Sequence, residues 1–407
     1  MVSKQRKPDR SKITVDKGHK QSDSKPFESI ALLLQGGGAL GAYQAGVYQA
    51  LSEAGLEPDW VAGISIGAIN AAIIAGNAPE QRVAKLREFW ELITKDAFQY
   101  YPPSIKAMMP YSNAHHQALN FMSSIGSIVN GIPGFFMPHS LLSQGTSTAT
   151  SFYDTASLKT TLERLVDFDR INNDNMRLSI AAVNVMSGNF TDFDNKENVI
   201  TAEHVMASGA LPPGFPPVEI NGDYYWDGGL ISNTPLRWIV ENKSPSDTLV
   251  FQVDLWSAEG EFPQNITEVL TREKAIQFSS RTRSSTDRFR EKHALCHAIA
   301  ALLDKLPADL RKLPEAQLLD THSNDKVYNI VHLIYHTEAY EGYSKDFEFS
   351  RLSMEEHWQS GYNDTINTLK HPEVLQRPRS CEGIAVFDFS RNKESKDAVT
   401  HSLAYQR

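Results

Sequence analysis

The run Ser29-Ile-Ala-Leu-Leu-Leu34 is apolar almost throughout, then stops on Gln35 and three consecutive glycines, Gly36, Gly37 and Gly38. A strand without polar alternation has to be covered on both faces, which is the situation of a parallel sheet sandwiched between helices. The glycines lead directly into an alanine-rich stretch spaced as a helix, with Gly55 as its stop. The unit then repeats. Residues 59–65 read as a second strand and residues 66–75 as a small apolar helix. A third helix follows Pro79, with Val83, Leu86, Trp90 and Ile93 on one stripe. Strand, glycine turn and helix in alternation predict an α/β fold with a central, mainly parallel sheet flanked by helices. The pattern resumes with a helix over 154–166 and strands over 178–185, 248–255 and 327–335. Between 266 and 306 the spacing is helical and highly charged. Ser353-Met-Glu-Glu356 has the form of a capping box, with Met354, Trp358, Tyr362, Ile366 and Leu369 at helical intervals behind it.

Two regions depart from this alternation. Residues 98–150 contain one formal charge, Lys106, and are rich in aromatic residues and methionine. So much apolar surface has to be buried against something. The stretch is an apolar helical insertion packed on the main domain, or a lid or lipid-facing surface. Residues 1–26 are the opposite case, with eight lysines and arginines against three aspartates and no apolar stretch. They read as a basic, disordered tail, or as an arm that docks weakly on an anionic membrane. The expected organisation is therefore a tail over 1–26, a catalytic domain over 27–256 with the insertion at 98–150, a mainly helical C-terminal extension over 257–375 with a strand near 327–335, and a loosely held tail over 376–407.

Charge and cysteine usage exclude several function classes. The chain carries a net charge of −9 despite its basic start, so its body is acidic and lacks the positive face that nucleic-acid binding requires. Cys296 and Cys381 are the two cysteines, too few for a zinc cluster and in keeping with a reducing compartment. No uninterrupted apolar run approaches the roughly 20 residues that span a bilayer. No apolar stretch follows the basic residues as it would in a secretory signal. A cytoplasmic protein is expected, with peripheral contact at the inner membrane surface as the sharper alternative. Nothing in the sequence calls for a metal or another cofactor, and nothing addresses oligomeric state.

Three short motifs carry chemistry. Gly63-Ile64-Ser65-Ile66-Gly67 lies between a strand and a helix. A serine on so sharp a turn needs neighbours without side chains two positions away on either side, and the strained turn holds its hydroxyl outward. A small-residue turn with no catalytic role has the same appearance. Gly36-Gly37-Gly38-Ala39-Leu40-Gly41 fits a dinucleotide-binding loop, an oxyanion hole of bare amides, or a purely structural turn. A dinucleotide site wants an acidic residue at the end of the second strand, and Asp59 stands at its beginning. Asp227-Gly228-Gly229 is a polar turn, or a carboxylate displayed among Tyr224, Tyr225 and Trp226, where desolvation would raise its proton affinity and fit it to act as a base.

A glycine-rich loop, a serine elbow and a late Asp-Gly-Gly, in that order, resemble the patatin-like phospholipase family. The stretch from Ala207 and Ser208 through Phe215, Pro216 and Pro217 to Asp227 is similar to the block that precedes the family's aspartate. The resemblance covers roughly residues 28–256. Residues 345–358 look like a C-terminal region of a bacterial subgroup. The resemblance implies a patatin-like three-layer fold and a lipid acyl hydrolase acting on lipid or other acyl esters. It implies Ser65 as nucleophile, Asp227 as base, Gly36, Gly37 and Gly38 as oxyanion loop, and no histidine in the pair. One departure is Leu40, where many relatives carry Arg or Lys, and it weakens the case for a phosphate headgroup.

Three other readings compete. A Ser-His-Asp hydrolase needs a late histidine, and His332, His336 and His357 are available, each with an ordinary structural explanation. His115 and His116 suggest a metal only weakly, because adjacent residues do not share a helix face. A nucleotide-binding protein would use Gly36 to Gly41. A catalytically silent interaction protein would keep the fold alone.

Overall fold

The structure is a computed structural model and describes residues 27–94, 113–139, 150–174, 176–241, 246–279, 282–338, 341–378 and 382–389. The expected basic tail over 1–26, most of the segments flanking the insertion's helix, and residues 390–407 lie outside the described residues.

In chain order the elements are β1 (Ser29–Leu34), α1 (Ala42–Glu53), β2 (Trp60–Gly63), α2 (Ile66–Ala75), α3 (Pro79–Ile93), α4 (Asn113–Asn130), β3 (Met137–Pro138), β4 (Tyr153–Asp154), α5 (Ala156–Leu165), α6 (Phe168–Asn173), β5 (Arg177–Asn184), β6 (Phe190–Asp194), α7 (Ala202–Ser208), β7 (Val218–Ile220), β8 (Asp223–Asp227), α8 (Leu236–Glu241), β9 (Thr248–Asp254), α9 (Ile266–Phe278), α10 (Thr282–Leu303), α11 (Pro314–His322), β10 (Tyr328–Ile334), α12 (Arg351–Leu369) and β11 (Ile384–Asp388). Among the described residues one nine-stranded sheet runs β11-β10-β9-β1-β2-β5-β8-β7, with β6 also paired to β5. Every pair from β11 to β5 is parallel, while β6, β7 and β8 pair antiparallel. This is the α/β sheet that the alternating pattern predicts, mixed but mostly parallel.

β1 shows why an unbroken apolar run was needed. Leu32 and Leu34 face one core with Tyr43, Val47 and Trp90, and Ala31 and Leu33 face the other with Trp60, Phe289 and Ile330. α2 is buried around its whole circumference, which its all-apolar sequence requires.

The structure departs from the sequence reading in four places. β10, the strand expected near 327–335, and β11 extend the sheet of the N-terminal part, a pairing the sequence reading did not assign. The expected loose tail after 376 contains β11, whose apolar run pairs with β10 after Gly383 turns the chain at φ 69°. Four apolar residues between Gly383 and Asp388 are too few for periodicity to reveal. The helix expected to start at Ser353 starts earlier, because the Ser350 hydroxyl caps it by accepting the Ser353 amide. β8 occupies the stretch that ends at Asp227, where the sequence reading assigned no element.

α4 is turned inside out. Asn120, Ser124 and Ser127 are buried, while Phe121, Met122, Ile125, Ile128 and Val129 are exposed. Asn120 helps to close a small polar cavity shared with Glu341, Lys345, Glu348 and His357. The side chains of His115 and His116 lie outside the described residues. No helix among the described residues is long and apolar enough to cross a membrane.

Candidate active site

Sheet register brings the three motifs to one height. Leu34 is paired with Gly63, and Gly63 with Ile180. Two residues further along each strand come Gly36, Ser65 and Ala182, and Ala182 is paired with Asp227 on the antiparallel β8. The motifs thus converge at the carboxyl edge of the parallel strands, where open α/β sheets place their ligand crevices.

Ser65 occupies the turn between β2 and α2 at φ 57° and ψ −126°. Non-glycine residues rarely hold such a backbone, and it costs on the order of 1–3 kcal/mol. The flanking glycines show why the turn has this composition. A Cβ on Gly63 would lie 2.2 Å from the Gly67 carbonyl oxygen, and one on Gly67 would lie 2.2 Å from that of Leu34. The Ser65 amide donates to the Ser208 hydroxyl at 3.0 Å, which fixes the elbow from α7. The Ile66 amide, at the start of α2, has no hydrogen-bond partner among the described residues.

Asp227 ends β8 and is 2% exposed. Its carboxyl group accepts the Gly229 amide at 2.7 Å, and the Ser65 side chain lies beside it. Burial pushes its pKa up to about 7, against the opposing pull of these two neighbours. Gly228 packs against the Ala181 backbone, where a Cβ would lie 2.8 Å from the carbonyl oxygen. The Asp227 amide donates to Ala210, so the carboxylate is held from its own backbone outward.

The glycine loop is gripped at its start and open in its middle. Asn233 clamps Gly36 on both backbone groups, its Oδ1 accepting the Gly36 amide at 3.0 Å and its Nδ2 donating to the Gly36 carbonyl at 2.9 Å. Trp256 Nε1 donates to the same carbonyl at 3.1 Å. The Gly36 amide is therefore engaged, whereas those of Gly37 and Gly38 have no partner among the described residues. Gly38 holds φ 56°. Gly41 is wedged against Ile66 and Trp90. Leu40 is fully buried in the core and presents nothing to a substrate.

The competing readings meet different surroundings. His357 Nε2 lies 2.5 Å from Glu341 Oε1, His332 contacts Thr286 and Asp254, and His336 is exposed. No hydrogen bond joins any histidine to Ser65 or Asp227 among the described residues. The Asp59 carboxylate accepts the Ile30 amide at 2.9 Å, at the opposite edge of the sheet from the glycine loop. No group of metal-ligating side chains occurs among the described residues. The sequence reading overlooked Asn233 and the extension's Asp346, whose carbonyl accepts the Ala39 amide at 2.8 Å. Asn233 had one signal, its place six residues beyond Asp227. Asp346 had none.

A family model described as "Patatin-like phospholipase" matches residues 32–237, and a second, described as "Patatin phospholipase", matches residues 276–380. A "Lysophospholipase nte1" of Aspergillus terreus is 52% identical over 50 residues, covering 12% of this chain and 3% of that protein's length. Among solved structures, VipD from Legionella pneumophila is similar with a TM-score of 0.37 and 16% identity, over 90% of this chain and 72% of that one. Full-length ExoU of Pseudomonas aeruginosa, in complex with SpcU, is similar at 0.24 and 18%, over 70% and 58%. Human GIVD cytosolic phospholipase A2 is similar at 0.22 and 15%, over 44% and 23%.

Proposed function

Since this chain belongs to the patatin-like phospholipase family, we propose that it is a serine-dependent lipid acyl hydrolase working through a Ser65–Asp227 dyad, with no histidine in the pair. The observation that carries the proposal is the convergence of Ser65, on its strained turn, with the buried Asp227 carboxyl at one edge of the sheet, close enough for the serine side chain to lower the carboxyl's proton affinity. A serine hydroxyl becomes a nucleophile only with a base in contact, and a carboxylate whose pKa lies near neutrality is a far better base than one in water.

The reaction then runs in two halves. Ser65 Oγ attacks the ester carbonyl carbon, its proton passes to Asp227, and the carbonyl π electrons move onto oxygen. The Gly37 and Gly38 amides, with that of Ile66, stabilise this oxyanion, and Gly36 anchors the loop. Collapse of the tetrahedral intermediate breaks the bond to the alcohol, which takes the proton from Asp227. Asp227 next removes a proton from water, the hydroxide attacks the acyl-enzyme, and a second collapse returns the proton to Ser65. The acid and the free enzyme are released.

The substrate reading is an acyl ester presented at a lipid surface. The exposed, uncharged face of α4 supports it, because five large apolar side chains facing outward favour an apolar partner. Turnover of p-nitrophenyl esters by purified protein tests the dyad. Ser65→Ala and Asp227→Asn should each lower kcat by about 10³-fold or more with unchanged circular dichroism. Full activity in Ser65→Ala would end the proposal. Mass spectrometry of lipid extracts treated with active protein or with Ser65→Ala identifies the headgroup and acyl chains consumed.

A further inference from the structure

The glycine loop is held by residues that arrive late in the chain. On one side, Asn233 Nδ2 bonds both the Gly36 carbonyl and the carbonyl of Phe278, the last residue of α9, at 2.9 Å each. Gln35 Nε2 reaches the same Phe278 carbonyl at 3.4 Å. On the other side, the Asp346 carbonyl accepts the Ala39 amide and lies so close to Gly38 that a Cβ there would sit 2.1 Å from it. The Asp346 carboxylate is fixed in turn by Lys274 Nζ of α9 at 2.5 Å. That ammonium lies 4.6 Å from the Tyr343 ring centroid and 5.1 Å from that of Phe347, within cation–π range of both. The Lys274 and Asp346 side chains are only 15% and 19% exposed.

We infer that the C-terminal extension completes the oxyanion hole, with Lys274 and Asp346 as positioning residues that set the Gly37 and Gly38 amides from the far side of the loop. The inference rests on the reading of those amides as oxyanion donors. Two observations direct it. Gly38 stands at φ 56°, a conformation that a free loop of glycines has many ways to leave, and the bond from Ala39 to Asp346 restrains it from the adjacent residue. A largely buried ion pair is also a poor source of net stability, since desolvation offsets most of its attraction, so its geometry is the more telling property. Donors aimed at a developing charge must be held to within about 0.5 Å to be effective.

The test uses the full-length protein with p-nitrophenyl butyrate as substrate and an alkyl trifluoromethyl ketone as inhibitor. Serine adds to this ketone to give a tetrahedral oxyanion, so its affinity reports directly on the hole. Active sites are counted by fluorophosphonate titration, and rates are expressed per titrated site. Lys274→Met should lower kcat about tenfold with KM nearly unchanged, and raise the inhibitor Ki by the factor that kcat/KM loses. Lys274→Arg, which keeps the charge, should recover most of both. If Lys274→Met does not fold, Asp346→Asn removes the carboxylate anchor, keeps the backbone carbonyl, and should show the same paired change. Unchanged kcat and Ki per titrated site would overturn the inference, and so would a loss of rate that vanishes on normalisation. A wild-type protein inert to both ester and fluorophosphonate would instead overturn the dyad reading.

Discussion

At Asp227 the fold accepts a cost that the proposed chemistry would use. Burial makes the ionised carboxylate unfavourable, and the neighbouring Ser65 side chain and Gly229 amide only partly offset this, which leaves its pKa near 7. Since the proposed mechanism needs an ionised base, kcat/KM for a soluble ester should rise with pH, half-maximal near 7, and level off above. A profile already flat at pH 5 would contradict the role of Asp227. The same group ties stability to pH. The native carboxyl holds its proton up to about pH 7, whereas the unfolded one loses it near pH 4, so the native state is penalised as pH rises between those values. Asp227→Asn should therefore be the more stable protein at pH 8, by on the order of 4 kcal/mol at most, with the gain shrinking toward pH 4. Thermal melts at pH 8 and pH 5 check this. The convergence of Ser65, Asp227 and the glycine loop at one edge of the sheet was prepared in the sequence, where two of the motifs sit between a strand and a helix. Asn233 was not legible there, because a polar residue on a turn looks the same whether it meets water or clamps a backbone 197 positions away.

At the scale of single elements, α4 was visible as uncharged and rich in apolar residues, but its orientation was not. Amphipathic logic puts Phe121, Met122 and Val129 inside, whereas they are 63%, 66% and 62% exposed, and the polar Asn120 and Ser124 are buried. The buried hydroxyl of Ser124 is satisfied locally by the Asn120 carbonyl at 2.7 Å, which lets a polar face pack inward. Replacing Phe121 and Met122 together by aspartate should lower hydrolysis of phospholipid vesicles by about tenfold or more, given 1.5–3 kcal/mol for each large apolar side chain transferred from water. Hydrolysis of a short soluble ester should be unaffected, and an equal effect on both substrates would remove α4 from any lipid contact. β11 and the antiparallel β6 to β8 escaped the sequence reading because runs of three to five residues are too short for a period of two to register. β1, α2 and β9 were legible because each is buried on all sides.

Among the described residues the main sheet is built from two stretches of sequence, with β9 as the hinge of its assembly between β1 and β10. A chain ending after residue 258 would leave β9 as a long, flat, apolar edge and strip α1 of α12, whose Trp358 donates to Gln49 at 2.7 Å. It should elute as aggregates in size-exclusion chromatography, and a monodisperse, fully active fragment would contradict this account of the extension. The bond from Ala39 to Asp346 has a bearing on how such a protein comes into being. A ribosome delivers the serine, the aspartate and the glycine loop long before it delivers Asp346. A half-made chain thus carries the proposed dyad and glycine loop and still lacks the strut against that loop. Under the proposed function, full hydrolytic competence arrives only with Asp346, after the dyad itself has been made.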